Sequence, residues 1–191
     1  NSKFTDKKNT IGCVYIVRDP RNVITSLQNH YEMSQEESLN FMLNENKFIY
    51  DHSIKNDYSN FQFISSWEKN YQSWINQKKF SVIMIKYEDL INDTLGTFKK
   101  VIEFIESITK SRKVYNDKKA ENSIQSTSFE NMKKIERKDG FIESILSKNE
   151  SRKIPFFHLG PKNNWRKIFD QNYQKKLNFT FKQNLKELNY L

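Results

Sequence analysis

The sequence predicts an α/β fold in which a central parallel sheet is flanked by helices. Two short apolar runs, Ile11–Val17 and Phe80–Ile85, lack polar alternation, which is typical of strands that are covered on both faces. Amphipathic helical patterns lie between the two runs and after the second one. The chain therefore alternates strands with helices, as proteins with parallel sheets do.

Composition limits the class of protein. A chain of 191 residues with 36% hydrophobic residues can bury a sizeable core, so we expect one domain over residues 1–191. No apolar run approaches the roughly 20 residues that span a bilayer, so we expect no membrane segment in this chain. The single cysteine, Cys13, excludes an internal disulfide and favours a cytoplasmic location.

The net charge of +9 has two interpretations. It could indicate a polyanionic partner such as nucleic acid or a phosphorylated cofactor, or it could reflect a composition rich in lysine without function. The lysines are scattered and frequently mixed with acidic residues, whereas a nucleic-acid face usually concentrates them. Charge alone therefore selects no partner.

Capping signals define the first helices. Asp19 is a suitable N-cap and Pro20 a suitable first helical residue, so we expect a helix from about Pro20 to His30. Ser34 and Glu37 have the spacing of a capping box, which predicts a second helix through Leu43.

The remaining elements follow from periodicity. An aromatic stripe predicts an amphipathic helix from about Phe63 to Ile75, before the second strand. Asp93 or Thr94 should cap the helix after that strand. The pattern weakens over 107–161, where we expect short helices and long loops, and one last helix should run from about Asp170 to Leu188.

Polar residues follow both predicted strands. Arg18 comes after the first strand, and Tyr87, Glu88 and Asp89 come after the second. Ligands of open parallel sheets bind beyond the carboxyl ends of the strands, where Arg18 could hold a phosphate and Ser26 could add a hydroxyl. Alternatively, Arg18 forms an ion pair with Glu88 or Asp89, and Ser26 is an ordinary helix residue. Spacing alone supports both interpretations equally.

Four segments resemble, in order and spacing, those of the sulfotransferase family that uses the sulfuryl donor PAPS (3'-phosphoadenosine 5'-phosphosulfate). They are "VYIVRDPRNVITSLQNHY" (14–31), "SSWEKNYQSWINQKKFSVIMIKYEDL" (65–90), "STSFENMKK" (126–134) and "FFHLGPKNNWRK" (156–167). Any one segment alone would be weak support for the resemblance. The four segments together, in this order and spacing, are specific support for it. The resemblance implies a P-loop NTPase-like core.

The resemblance assigns roles to residues of the first two segments. Arg18 and Ser26 match the arginine and the serine, eight residues apart, that bind the 3'-phosphate of the nucleotide. Tyr87 matches the tyrosine that reaches the adenine. An arginine at the strand tip would separate PAPS from nucleotides such as ATP that lack a 3'-phosphate.

The third segment matches the loop around the adenine, here Thr127, Ser128 and Phe129. Phe129 would offer an aromatic face to the base and Thr127 a hydroxyl to its edge. Without the resemblance, we would interpret Phe129 as a core residue beneath a loop and Thr127 as a helix cap.

The fourth segment departs from the family pattern. The usual Arg-Lys-Gly is replaced by His158, Leu159 and Gly160, so the second phosphate-binding arginine is absent. His158 would donate more weakly, because an imidazole is mostly neutral near pH 7. Lys162 or Arg166 could compensate for the missing arginine.

Two family features are absent from this sequence: the Gly-containing loop that holds the 5'-phosphosulfate, and the histidine that acts as base shortly before the first segment. The first histidine of the chain is His30. His30 and His52 do not match the catalytic position, and with His158 they form no metal-ligand pattern. We therefore expect a fragment, without its N-terminal strand, loop and helix, that has no catalytic residue and is inactive alone.

The resemblance implies sulfuryl transfer from PAPS, leaving PAP, to a hydroxyl or amine acceptor, without a metal and without nucleic acid. The acceptor could be a small molecule, a glycan or a lipid, and the sequence does not define the oligomeric state. Two alternatives stay open: a P-loop nucleotide kinase-like fragment, which would need a Walker loop and magnesium, and a basic nucleic-acid-binding domain without catalysis. The second alternative leaves the four ordered segments unexplained.

Overall fold

The computed structural model describes residues 8–50, 61–111, 115–149 and 151–191. Residue contacts divide the chain into two compact units. The first unit comprises Asn1–Asp19 and Ile75–Asn163, and the second comprises Pro20–Trp74 and Asn164–Leu191.

The described residues form strands and helices in the following order. The strands are β1 (Gly12–Val17), β2 (Phe48–Ile49), β3 (Gln62–Phe63) and β4 (Ser81–Lys86). The helices are α1 (Pro20–Tyr31), α2 (Gln35–Leu43), α3 (Trp67–Ile75), α4 (Tyr87–Asn92), α5 (Thr94–Thr109), α6 (Asp117–Ser126), α7 (Phe129–Asp139), α8 (Trp165–Ile168), α9 (Gln171–Thr180) and α10 (Lys182–Glu187). A short 3-10 turn covers Gly160–Lys162.

The first unit is built on a parallel pair of strands. β1 and β4 run side by side, with a register that extends from Gly12 opposite Ser81 to Val17 opposite Lys86. Helix α5 packs against both strands, and its close approach depends on Gly12, where a Cβ would lie 2.5 Å from the Cδ1 atom of Ile108. The predicted α/β class, with a parallel sheet flanked by helices, is confirmed.

The prediction that β1 is covered on both faces is wrong for the residues that the structure describes. Val17 is buried, but Val14 and Ile16 are 37% and 56% exposed. Among the described strands, only β4 pairs with β1, so β1 lies at an edge. An unbroken apolar run shows that its side chains favour burial. It does not show that another structural element covers them.

Helix α5 of the first unit begins at a predicted cap. Asp93 precedes α5, and its side chain accepts a hydrogen bond from the backbone N–H of Gly96 over 2.9 Å. The expectation of short helices and long loops over 107–161 is also confirmed. α6 and α7 are followed by an irregular segment in which Leu146 and Lys153 form an isolated β-bridge.

The second unit has an apolar core between α1, α2 and the three C-terminal helices. The buried residues of this core are Ile24, Leu39, Met42, Trp165, Phe169, Tyr173, Leu177, Phe181 and Leu185. The capping box of α2 is confirmed, because Ser34 and Glu37 exchange side-chain and backbone hydrogen bonds. Tyr71 is fully buried, and its hydroxyl donates to Glu187 over 2.6 Å.

Two helix predictions are wrong in extent. The helix expected from Phe63 begins at Trp67, because β2 and β3 pair at Phe63 and the left-handed backbone of Ser65 (φ 59°) interrupts any earlier turn. The helix expected from Asp170 to Leu188 is two helices, which are separated at the buried Phe181. The residues before this break are β-branched or aromatic, and such residues have low helix propensity.

Candidate functional site

Arg18 extends from the end of β1 in the first unit and is held on two sides. Its guanidinium carbon lies 4.2 Å from the centroid of the Tyr87 ring, and its Nη2 atom donates to the carbonyl oxygen of Gly160 over 3.1 Å. The Nε atom of Arg18 is buried and has no hydrogen-bond partner among the described residues. A buried N–H group without an acceptor is costly, so Arg18 has a donor available for an anion.

The ion pair considered for Arg18 is not formed in the part of the chain that the structure describes. A carboxylate oxygen of Glu88 instead accepts from the backbone N–H of Asp19 over 3.3 Å. Arg18 therefore meets a ring and a carbonyl but no carboxylate of Glu88 or Asp89, and its positive charge is not neutralised by either of them.

Gly160 connects Arg18 to the predicted adenine loop. Its φ of +51° lies in the left-handed region, and a Cβ at this position would overlap the Phe129 ring. The ring of Phe129 also meets that of Phe157 edge to face, with centroids 6.0 Å apart. The structure thus brings together Arg18, Tyr87, Phe129 and Gly160, four of the residues that the resemblance selected.

Two polar side chains of α7 fix the segment that precedes Gly160. The carboxylate of Glu136 accepts hydrogen bonds from the backbone N–H groups of Phe156 and Phe157, over 2.6 and 3.0 Å, and from the hydroxyl of Ser144. The ammonium of Lys133 donates to the carbonyl of His158 over 3.3 Å. The conformation of 156–158 is therefore set by α7.

The pKa of Glu136 is lowered. Burial alone would raise it, but the hydrogen bonds from Ser144, Phe156 and Phe157 and the nearby charge of Lys133 favour the ionised form and outweigh burial. Sequence reasoning missed Glu136 and Lys133. Their spacing places them on one face of a helix, but nothing in the sequence identifies backbone groups some twenty residues later as the partners.

Thr127 and Ser128 lie between α6 and α7. Thr127 is the C-cap of α6, and its hydroxyl donates to the carbonyl of Ser123 over 2.7 Å, which agrees with the helix-cap interpretation. Ser128 is the N-cap of α7, but its hydroxyl makes no capping hydrogen bond. The hydroxyl of Ser128 is therefore not used by the helix that it precedes.

The other predicted site residues are described as follows. Ser26 belongs to the second unit, where it is exposed on α1 and its hydroxyl donates to the carbonyl of Asn22 over 3.2 Å. His158 is exposed, Leu159 is half-buried, and Lys162 is exposed in the 3-10 turn. Their assignment to a nucleotide site stays a prediction.

The second arginine of the first segment has a structural role in the second unit. Arg21 is buried, donates to the Asn178 side chain over 2.7 Å and to the carbonyl of Tyr190 over 3.0 Å, and lies 4.2 Å over the Trp165 ring. Arg166 covers the same indole at 4.5 Å. Trp165 is buried in the core of the second unit.

The described ranges contain no group of three or more His, Cys, Asp or Glu side chains arranged to hold a metal ion. None of their helices is long and apolar enough to cross a membrane. The arrangement around Arg18 can bind an anion that is attached to a flat, partly apolar group.

Comparison with known proteins identifies the family. The sequence model of the sulfotransferase domain matches residues 3–189. Luciferin sulfotransferase of Photinus pyralis is 27% identical over 120 residues, which are 63% of this chain and 29% of that protein.

The crystal structure of mouse sulfotransferase SULT7A1 complexed with PAP superposes with a TM-score of 0.58 and 21% identity, over 94% of this chain and 59% of that chain. The likeness confirms the P-loop-like fold, and in both comparisons the match spans less than two thirds of the relative's length. The chain belongs to the sulfotransferase domain family.

Proposed function

We propose that residues 1–191 form one sulfotransferase-like domain that supplies the 3'-phosphate and adenine sites for PAPS. The enzyme transfers the sulfuryl group of PAPS to a hydroxyl or amine of a small molecule, a glycan or a lipid, and PAP is the product. The observation that carries the proposal is Arg18, whose guanidinium is oriented by Tyr87 and Gly160 and retains a buried N–H without an acceptor.

A 3'-phosphate fits the properties of Arg18. The guanidinium is permanently charged and offers parallel N–H donors, which match two oxygens of a phosphate. Contacts with the Tyr87 ring and the Gly160 carbonyl hold it in place before a ligand arrives, so little side-chain entropy is lost on binding. Ser26, eight residues further on, is the second predicted ligand of this phosphate.

The adenine ring fits the residues at the start of α7. Phe129 supplies an aromatic face, and the hydroxyl of Tyr87 is the predicted contact to the base. The Thr127 hydroxyl uses its proton on Ser123, but its oxygen can still accept a hydrogen bond from the amino group of adenine. Ser128 can donate to a ring nitrogen, because its hydroxyl is not used in capping.

The last contacts come from the segment 158–160. His158 and Leu159 stand where the family has Arg and Lys, and Gly160 links this segment to both Arg18 and Phe129. The imidazole of His158 donates to the 3'-phosphate in place of the family arginine.

PAPS, when bound, supplies the sulfuryl group and the leaving phosphate. The residues of this chain bind and orient the nucleotide, and none of them matches the catalytic base or the phosphate loop of the family. We therefore expect the chain by itself to bind PAP without turnover. The single cysteine supports a cytoplasmic location.

The proposal is tested by calorimetric titration of the chain with PAP and with 5'-AMP. PAP should bind more tightly, without magnesium, and Arg18→Gln should weaken PAP binding by about 2–5 kcal/mol, the usual penalty for removing one partner of a buried charge pair. The control Arg152→Gln removes an exposed arginine of the same unit and should leave PAP affinity unchanged.

Three results would contradict the proposal. Equal affinity of wild type and Arg18→Gln for PAP would remove the assigned role of Arg18. A preference for 5'-AMP with a magnesium requirement would indicate a kinase-like site. Steeply salt-dependent binding to duplex DNA, together with no binding of PAP, would indicate a nucleic-acid-binding domain.

A further inference from the structure

A cavity of about 360 Å³ lies beside α7 in the first unit, within the range of small-molecule sites. We call it the α7 pocket. Its apolar wall is formed by Phe141, Ile154, Pro155 and Phe157. Ile154 is buried, and the ring of Phe141 packs edge to face on that of Phe157 with centroids 5.1 Å apart, so the wall is fixed by packing.

The charges around the α7 pocket are mainly positive. Lys133, Arg137 and Lys153 line it together with one carboxylate, that of Glu136. The Glu136 oxygens already accept three hydrogen bonds, from Ser144 and two backbone N–H groups, so this carboxylate is engaged in holding the wall. The cations therefore exceed the acidic groups at this cavity.

Two of these cations, the side chains of Arg137 and Lys153, make no polar contact with another described residue. The ammonium of Lys133 donates to the His158 carbonyl, but the side chains of Arg137 and Lys153 are exposed and form no hydrogen bond or ion pair there. An apolar wall with unengaged cations at its opening matches a ligand that has an apolar body and an acidic group.

We propose that the α7 pocket binds a small amphipathic anion, in which a flat ring system carries a carboxylate or sulfonate group. The ring packs on the wall formed by Phe141 and Phe157, and the acidic group meets Arg137 and Lys153. A neutral ring leaves both cations without a partner, and a nucleic acid strand needs an extended basic face rather than a cavity of this size.

The α7 pocket adjoins the proposed PAPS contacts. It shares His158 with them, but neither Arg18 nor Phe129 lines it. Binding there needs no nucleotide and therefore does not depend on the proposed sulfotransferase function.

The test is a titration of the full chain with naphthalene-2-carboxylate, followed by calorimetry, with naphthalene-2-carboxamide as the neutral analogue. We expect saturable binding of the carboxylate at one site and binding of the carboxamide that is about tenfold weaker or absent. The double variant Arg137→Gln with Lys153→Gln should weaken carboxylate binding by about tenfold.

The matched control is Lys134→Gln with Lys138→Gln, which removes the same charge from exposed positions of α7 that do not line the pocket. It should leave the affinity within about twofold of wild type. All four substituted residues are exposed, and circular dichroism checks that both variants fold as wild type does.

Three outcomes would overturn the proposal: no saturable binding of the carboxylate, equal binding of the carboxamide, or an equal loss in the two double variants. The last result would indicate general attraction to a positive surface instead of a site.

Discussion

The guanidinium of Arg18 lies 4.2 Å from the ring centroid of Tyr87 because each residue directly follows one of two paired parallel strands. Val17 and Lys86, the last residues of β1 and β4, are opposite each other in the register. The next residue on each strand is therefore brought to the same edge of the sheet. The cation lies over an aromatic face, which attracts it and fixes its orientation.

The Tyr87 ring should contribute to nucleotide affinity through Arg18. Tyr87→Leu removes the aromatic face, and we expect PAP to bind about 2- to 5-fold more weakly, as for loss of a partly exposed cation–π contact, in addition to the loss of the hydroxyl. Tyr87→Phe keeps the ring and should show only the effect of the lost hydroxyl. Calorimetric titration with PAP measures both, and equal affinities for the two variants would contradict a role of the ring.

Gly160 and Gly140 offer a matched pair of substitutions by alanine. Both have positive φ angles, +51° and +79°, but a Cβ at Gly160 would overlap the Phe129 ring, whereas a Cβ at Gly140 meets no heavy atom within 4 Å. Gly140→Ala should lower the free energy of unfolding by about 1–3 kcal/mol from backbone strain alone, because its φ of +79° with ψ of 176° lies in a region that essentially only glycine adopts. Gly160→Ala should cost about 1–3 kcal/mol more, because the ring must move.

Urea unfolding measures the two free energies. Equal losses would show that Phe129 does not pack on Gly160 in solution. A larger loss for Gly160→Ala, partly relieved by Phe129→Leu in the same chain, is the expected result.

Glu136 should make stability depend on pH. Its pKa in the folded chain lies below the ordinary value of 4.5, so its stabilisation is fully present above that value and is lost as the pH falls through the folded pKa. Glu136→Gln should lower the free energy of unfolding by about 2 kcal/mol at neutral pH, because three hydrogen bonds to a charged group are weakened.

The difference between wild type and Glu136→Gln should shrink in acid, where the wild-type carboxyl is protonated. Glu143→Gln is the control, since Glu143 is exposed in the following turn and should change stability by less than about 0.5 kcal/mol. A Glu136→Gln effect that stays constant from neutral pH down to the acid limit of folding would argue against a charged Glu136 in the folded chain.

Substitutions of Arg18 and Arg21 should separate effects on PAP binding from effects on the free energy of unfolding. Arg21→Gln removes a buried guanidinium that has two acceptors and an indole face, and we expect it to lower the free energy of unfolding by about 3 kcal/mol. Arg18→Gln should cost less, about 1–2 kcal/mol, because it loses one half-buried hydrogen bond to Gly160 and the face of Tyr87, while it weakens PAP binding. Thermal unfolding ranks the two variants, and the reverse order of stability would exclude this division of roles.

Sequence patterns predicted the features that depend on neighbouring residues. The cap at Asp93 and the capping box at Ser34 are local, so their signals lie within four residues. The proximity of Arg18 and Tyr87 could also be predicted from the sequence, because the carboxyl ends of parallel strands lie at the same edge of a sheet.

Two features were not predicted. The apolar stripe continues through the break at Phe181, and the low helix propensity of the residues before it is too weak a signal to end a helix. Glu136 appears in the sequence as one more charge in a lysine-rich stretch. Its role depends on backbone groups of Phe156 and Phe157, which carry no side-chain signature.

The exposed edge of β1 has a practical consequence for handling the chain. Val14 and Ile16 project from a strand that pairs on one side only among the described strands, and such apolar edges template the addition of strands from other molecules. Loss of soluble protein on concentration should therefore start at this edge. Ile16→Lys puts a charge on this edge strand, which disfavours pairing with another chain, and it should keep the chain monodisperse at concentrations where wild type precipitates.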